Sequence, residues 1–132
     1  MQTFYINKGS VLPKLRMELI DDGTYDYIKS YRFNNAIQNA DVTFTMLDAN
    51  NRLRISKQPA TIQKITGNCC EDRYILEYEW KPRDVKEPGE FIGKFEITFK
   101  SDLYEEGVDY DSGNLIVPIV EDLVIFIKNA AI

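Results

Sequence analysis

The sequence predicts an all-β protein, an antiparallel immunoglobulin-like β-sandwich of about seven or eight strands. Three observations predict it. Apolar and polar residues alternate with a period of two in four separate stretches. Gly, Pro, Asn and Asp cluster at short intervals between those stretches, as tight turns require. β-Branched and aromatic residues fill the alternating positions, which suits half-buried strands.

Thr3 to Asn7 is a short first strand. In Lys14 to Ile20, Leu15, Met17 and Leu19 share one face and Lys14, Arg16 and Glu18 the other. In Asp41 to Leu47, Val42, Phe44 and Met46 alternate with Asp41, Thr43 and Thr45. Leu53 to Ser56 and Ala60 to Ile65 are two further short strands. Arg73 to Lys81 sets Tyr74, Leu76, Tyr78 and Trp80 against Ile75, Glu77, Glu79 and Lys81. Glu90 to Lys100 sets Phe91, Gly93, Phe95, Ile97 and Phe99 against Ile92, Lys94, Glu96, Thr98 and Lys100. Leu115 to Val120 and Leu123 to Ile127 form a nearly continuous last strand, which Pro118 demotes to an edge or a bulge. Turn residues lie at Asp21-Asp22-Gly23, Asp48-Ala49-Asn50-Asn51, Gly67-Asn68, Glu87-Pro88-Gly89 and Asp111-Ser112-Gly113-Asn114. Phe33 to Ala40 lacks a strand pattern and has room for one helical turn. The shared parity predicts that Trp80, Phe95, Ile97, Phe44 and Leu76 are buried together.

The 132 residues make one domain, 1–132, with no internal repeat or linker. A chain of this size buries enough surface to fold without disulfides or a structural metal. There is no histidine, which excludes Ser-His-Asp and Cys-His catalysis and His-ligated zinc. Cys69 and Cys70 are adjacent, and neighbouring cysteines close a disulfide only through a strained ring. The two free thiols suit a reducing compartment. Met1 to Val11 has no signal-peptide pattern, and the apolar run from Leu115 to Ile127 is broken by Pro118, Glu121 and Asp122. It falls short of the roughly 20 residues a bilayer span needs.

The net charge is −5 and the isoelectric point about 4.8. The acidity is local. From Ser101 to Asp122 there are seven acids and no Lys or Arg, and the cations elsewhere form no run. A basic groove for nucleic acid is therefore not expected. The acidic loop 102–111 does not follow the EF-hand spacing, so no metal is expected there. Glu77 and Glu79 lie two apart on one strand face, and Lys81 beside them makes them read as a polar outer face rather than a glycosidase pair. Trp80, Tyr74 and Tyr78 share a face with Leu76, which reads as core rather than a sugar platform. No catalytic residue, cofactor or metal ligand is therefore assigned. The candidates for a partner interface are Tyr25, Tyr27, Tyr31, Tyr104, Glu105, Glu106, Asp109, Asp111, Phe126 and Ile132. Tyrosine buries much area at low entropy cost, acids steer a basic partner, and an apolar tail is costly in water.

The order of elements resembles the N-terminal domain of phage baseplate upper proteins. Asn7-Lys8-Gly9-Ser10-Val11-Leu12-Pro13-Lys14-Leu15-Arg16-Met17-Glu18-Leu19 stands in the place of that family's opening strand. Asn39-Ala40-Asp41-Val42-Thr43-Phe44-Thr45-Met46-Leu47-Asp48 is similar to its second. Tyr78-Glu79-Trp80-Lys81-Pro82-Arg83-Asp84, followed by Pro88-Gly89-Glu90-Phe91, is similar to its most specific block. Leu115 to Leu123 resembles its closing strand. The family's domain usually heads a longer chain with a stem and a tip, whereas this one stops at Ile132 and carries a longer, more acidic final loop. The resemblance implies a phage virion structural protein, made in the host cytoplasm and located in the virion. It would dock to tail, baseplate, fibre or capsid proteins as a homo- or hetero-oligomer, without nucleic acid or membrane. A small carbohydrate- or cell-surface-binding module is the alternative reading, and a hydrolase the third.

Overall fold

The computed structural model describes residues 2–19, 40–66, 72–99, 113–118 and 122–129. They form eight strands: β1 (Gln2–Asn7), β2 (Leu15–Glu18), β3 (Asp41–Asp48), β4 (Leu53–Thr66), β5 (Asp72–Tyr78), β6 (Gly89–Phe99), β7 (Gly113–Val117) and β8 (Leu123–Lys128). One 3-10 turn, Pro82–Val85, separates β5 from β6. The strands make one sheet in the order β1-β8-β6-β3-β4-β5-β2, with β7 also on β6. The chain is all-β, and this sheet is curled until it is nearly barrel-shaped. The reason for the curl is aromatic. Phe44 on β3 lies 4.6 Å from the Tyr78 ring on β5 and 5.0 Å from Phe95 on β6. Trp80, just past β5, stacks at 5.9 Å on Phe4 of β1, at the opposite end of the strand order.

Alternation places the core where parity predicts. Trp80, Phe95, Ile97, Phe44 and Leu76 are all buried in one cluster, as are Leu15, Met17 and Leu19. Gly93 belongs to the same inward row. A Cβ there would meet Ile125 Cδ1 and Phe44 Cε1, each at 2.9 Å, so the missing side chain admits the Phe44 ring.

The structure corrects the sequence reading in four places. β1 and β8 pair in parallel, whereas every other pair is antiparallel. They come from opposite ends of the chain, so no short hairpin dictates their direction. Leu53 to Ser56 and Ala60 to Ile65 are parts of one strand, β4. Its register with β3 slips between Phe44 and Met46 and again before Leu47, and Lys57 takes φ 43° at the first slip. That bulge sets Ser56 and Lys57 against Thr45, and Gln58 and Pro59 resume the pairing with Phe44 and Thr43. At Ala60 the strand leaves β3, and from Thr61 it pairs with β5. β5 ends at Tyr78 rather than Lys81, because the 3-10 turn draws Lys81 away. β7 and β8 are separate strands on the same edge of β6, divided at Pro118 as the proline suggests. The expected helical turn in 33–40, apart from Ala40, and the Cys69-Cys70 pair lie outside the described residues.

Candidate interaction surfaces

The Tyr78-Trp80-Asp84 block folds into one knot. The Tyr78 hydroxyl donates to Asp84 Oδ2 at 2.6 Å, and the Lys81 amide donates to the same oxygen at 2.9 Å. Burial, then the neighbouring Asp84 carboxylate, push the Tyr78 phenol well above its ordinary pKa. Val85, fully buried, closes the turn. Its carbonyl accepts from Gly9 at 2.9 Å, so the knot also pins the loop after β1. That loop turns at Asn7-Lys8-Gly9-Ser10, where the Ser10 amide donates to the Asn7 carbonyl at 3.0 Å and Gly9 takes φ 79°. A type II turn requires that positive φ at its third residue. Trp80, Tyr74 and Tyr78 are buried, so none presents an open ring to a sugar.

The outward side of the curl has two different halves. Around β2 and β5 it is ionic. Arg16 Nε donates to Glu77 at 2.8 Å, Lys14 reaches Glu79 at 3.0 Å and Glu77 at 3.5 Å, and Arg73 forks onto Glu18 at 2.6 and 2.9 Å. The hydrogen bond from Arg16 holds Glu77 below its ordinary range, and that from Arg73 does the same to Glu18. A catalytic acid needs the opposite shift. The two carboxylates Glu77 and Glu79 do lie on a polar face, yet their partners are Arg16 of β2 and Lys14 just before it. Lys81 instead donates to Gln58 Oε1 at 3.0 Å.

Across β4, β3, β6, β8 and β1 the outward side is mixed: Thr43, Thr45, Lys94, Glu96 and Thr98 form its polar part, and one row across it is apolar. Register aligns Leu53, Leu47, Ile92 and Val124 in one transverse row that ends at Thr3. Leu53 is 57% exposed, while Val124 is buried. In the next row Phe126 stacks on Tyr5 at 5.2 Å, and Lys128 Nζ sits 5.8 Å above the Tyr5 ring. Tyr5 is 59% exposed. An open groove of about 710 Å³ lies where β4 parts from β3, lined by Val42, Thr43, Ala60, Ile62 and Tyr74. Its polar rim residues Asp41 and Lys64 are already engaged.

Of the interface residues chosen from sequence, Phe126 falls on this outward side, half-buried in β8. Tyr25, Tyr27, Tyr31, Tyr104, Glu105, Glu106, Asp109, Asp111 and Ile132 lie outside the described residues. Sequence reasoning misses Tyr5, Leu47, Leu53 and Ile92. Tyr5 on a short, uncharged first strand is the one signal that points there. Among the described residues no three of His, Cys, Asp or Glu gather in a way that could hold a metal, and no helix is long and apolar enough to cross a membrane. No protein-family model, curated protein or solved structure matches the chain.

Proposed function

We propose that the chain is a tailed-phage virion structural protein, a non-catalytic adaptor that docks to other virion proteins by surface complementarity. The observation that carries the reading is the knot of Tyr78, Trp80 and Asp84. It gives the block that resembles one in phage baseplate upper proteins a physical purpose, joining β5, the core and the loop after β1. In this reading the curled sheet is an immunoglobulin-like sandwich, with β4 crossing from one layer to the other. The apolar row and the Tyr5/Phe126 pair are then the contact surface, the protein works as a homo- or hetero-oligomer, and it resides in the particle after synthesis in the host cytoplasm. Binding needs neither cofactor nor nucleic acid. The test is mass spectrometry of purified virions, with pull-downs against their structural proteins. Stoichiometric presence and capture of a tail, baseplate, fibre or capsid protein are expected. A chain missing from particles that captures none of them would refute the assignment.

A further inference from the structure

Among the described residues β1 is an open edge of the sheet, and it differs from the other open edges. The Gln2 amide donates to the Asp122 carbonyl at 3.1 Å and the Lys8 amide to the Lys128 carbonyl at 2.7 Å. Alternation in a parallel ladder therefore aims the even residues at β8 and the backbone N–H and C=O of Thr3 and Tyr5 away from it. Natural sheets guard such edges with charge, proline, bulges or short strands. The β2 edge is guarded. The Leu19 amide bonds Tyr74 at 2.9 Å, so Arg16 and Glu18 aim outward, both charged. β4 carries Arg54, Pro59, Lys64 and the Lys57 bulge, and β7 is five residues ended by Pro118. Gln2–Asn7 has no charge, no proline and no bulge.

We propose that β1 pairs antiparallel with β1 of a second copy of this chain, about a two-fold axis through Phe4. Three features favour a second copy over a foreign strand. Thr3 then faces Tyr5 of the other copy and Tyr5 its Thr3. Each outward residue is matched, giving about four backbone hydrogen bonds. The end carrying Lys8 and Lys128 comes beside the end carrying Asp122 of the other copy, so opposite charges meet. The row Leu53, Leu47, Ile92, Val124, Thr3 continues into Tyr5 and Phe126 of the second copy, joining the apolar row of one copy to the aromatic pair of the other. This contact stands apart from the virion reading, since it forms between copies in dilute solution whatever the particle contains.

A one-strand interface is small, so the dimer depends on concentration. Light scattering should report a mass rising from the single chain's 15.3 kDa towards twice that value. The rise should fall between about 10 µM and about 1 mM. Thr3→Pro removes an N–H that makes no bond within the sheet, and Tyr5→Lys charges the edge. Each should hold the mass at one chain, with circular dichroism unchanged. Amide exchange at Thr3 and Tyr5 should slow several-fold with concentration in the wild type. If Thr3→Pro does not fold, Tyr5→Lys and the exchange data decide. A chain that stays monomeric throughout, or a dimer that survives Tyr5→Lys, overturns the proposal. So does a wild-type monomer that captures another protein's strand along β1.

Discussion

Trp80 is held by Phe4 at 5.9 Å, Tyr78 at 5.4 Å and Phe44 at 5.9 Å, with its indole nitrogen buried and unbonded. Two opposed terms act on that side chain: packing favours it, and the unsatisfied donor penalises it. Truncation to alanine loses the packing and leaves a cavity, so Trp80→Ala should cost about 3 to 5 kcal/mol. Trp80→Phe keeps a ring and removes the orphan donor, so it should cost about 1.5 kcal/mol or less. Chemical denaturation of the two variants tests this, and equal losses would place the indole's worth elsewhere. Tyr78 makes the second prediction at this scale. Its folded pKa is raised, by burial first and then by Asp84. A phenol that stays protonated in the folded state stabilises fully below the unfolded value near 10 and loses that contribution as pH rises from there through the folded pKa. Melting temperature should therefore drop above about pH 10, and Tyr78→Phe should flatten that drop while lowering stability at neutral pH.

The β3–β4 hairpin shows how an element is fixed by few groups. Asp48 Oδ1 accepts from the amides of Asn50 and Arg52, both at 2.9 Å, and Asn51 takes φ 60°. The hydrogen bond from the Arg52 amide, with that from Asn50 and the charges of Arg52 and Arg54, keeps the Asp48 carboxyl below its ordinary range. A depressed carboxylate stabilises above its unfolded pKa and ceases to as pH falls through its folded pKa. Below about pH 4 the hairpin should therefore loosen. Asp48→Asn should weaken this acid dependence, and Asp48→Ala should lower the melting temperature further, since it also removes the acceptor. Down the same hairpin, Lys57 holds φ 43° with its amide on Thr45 Oγ1 at 3.3 Å. A β-branched residue resists that conformation, so Lys57→Val should cost about 1 to 2 kcal/mol and Lys57→Gly almost nothing. The turn Asp48-Ala49-Asn50-Asn51 is legible in sequence because Asx turns are local. The bulge is not. Lys57-Gln58-Pro59 reads as a gap, and only pairing with β3 and then β5 makes it the middle of one strand.

At the scale of the molecule the same division holds. Parity within a strand is local, so the burial of Phe44, Tyr78, Phe95 and Phe99 follows from alternation alone. The partnership of β1 with β8 has no local signal, and the apolar row from Leu53 to Val124 exists only once four strands are in register. That is why Phe126 is legible as an apolar residue near the C-terminus while its stacking partner Tyr5, at the other end of the chain, is not. The topology carries a kinetic consequence. β8 lies between β1 and β6, so among the described strands β1 has no partner until β8, far along the sequence, has been made. Sheets built on such non-local pairs fold in milliseconds to seconds, because loop closure precedes the contacts that repay it. Trp80 is the only tryptophan, and it packs against Phe4 of β1, so its fluorescence reports this late closure. Stopped-flow refolding of the whole chain should show the Trp80 change within about a millisecond to a second. A chain ending at Val117 lacks β8 with its buried Leu123, Val124, Ile125 and Ile127, and so removes the strand that β1 pairs with. It should not develop the native Trp80 signal at any time. If the shortened chain reached that signal, the remaining strands would suffice to form the aromatic core, and β1 would reach Trp80 without β8.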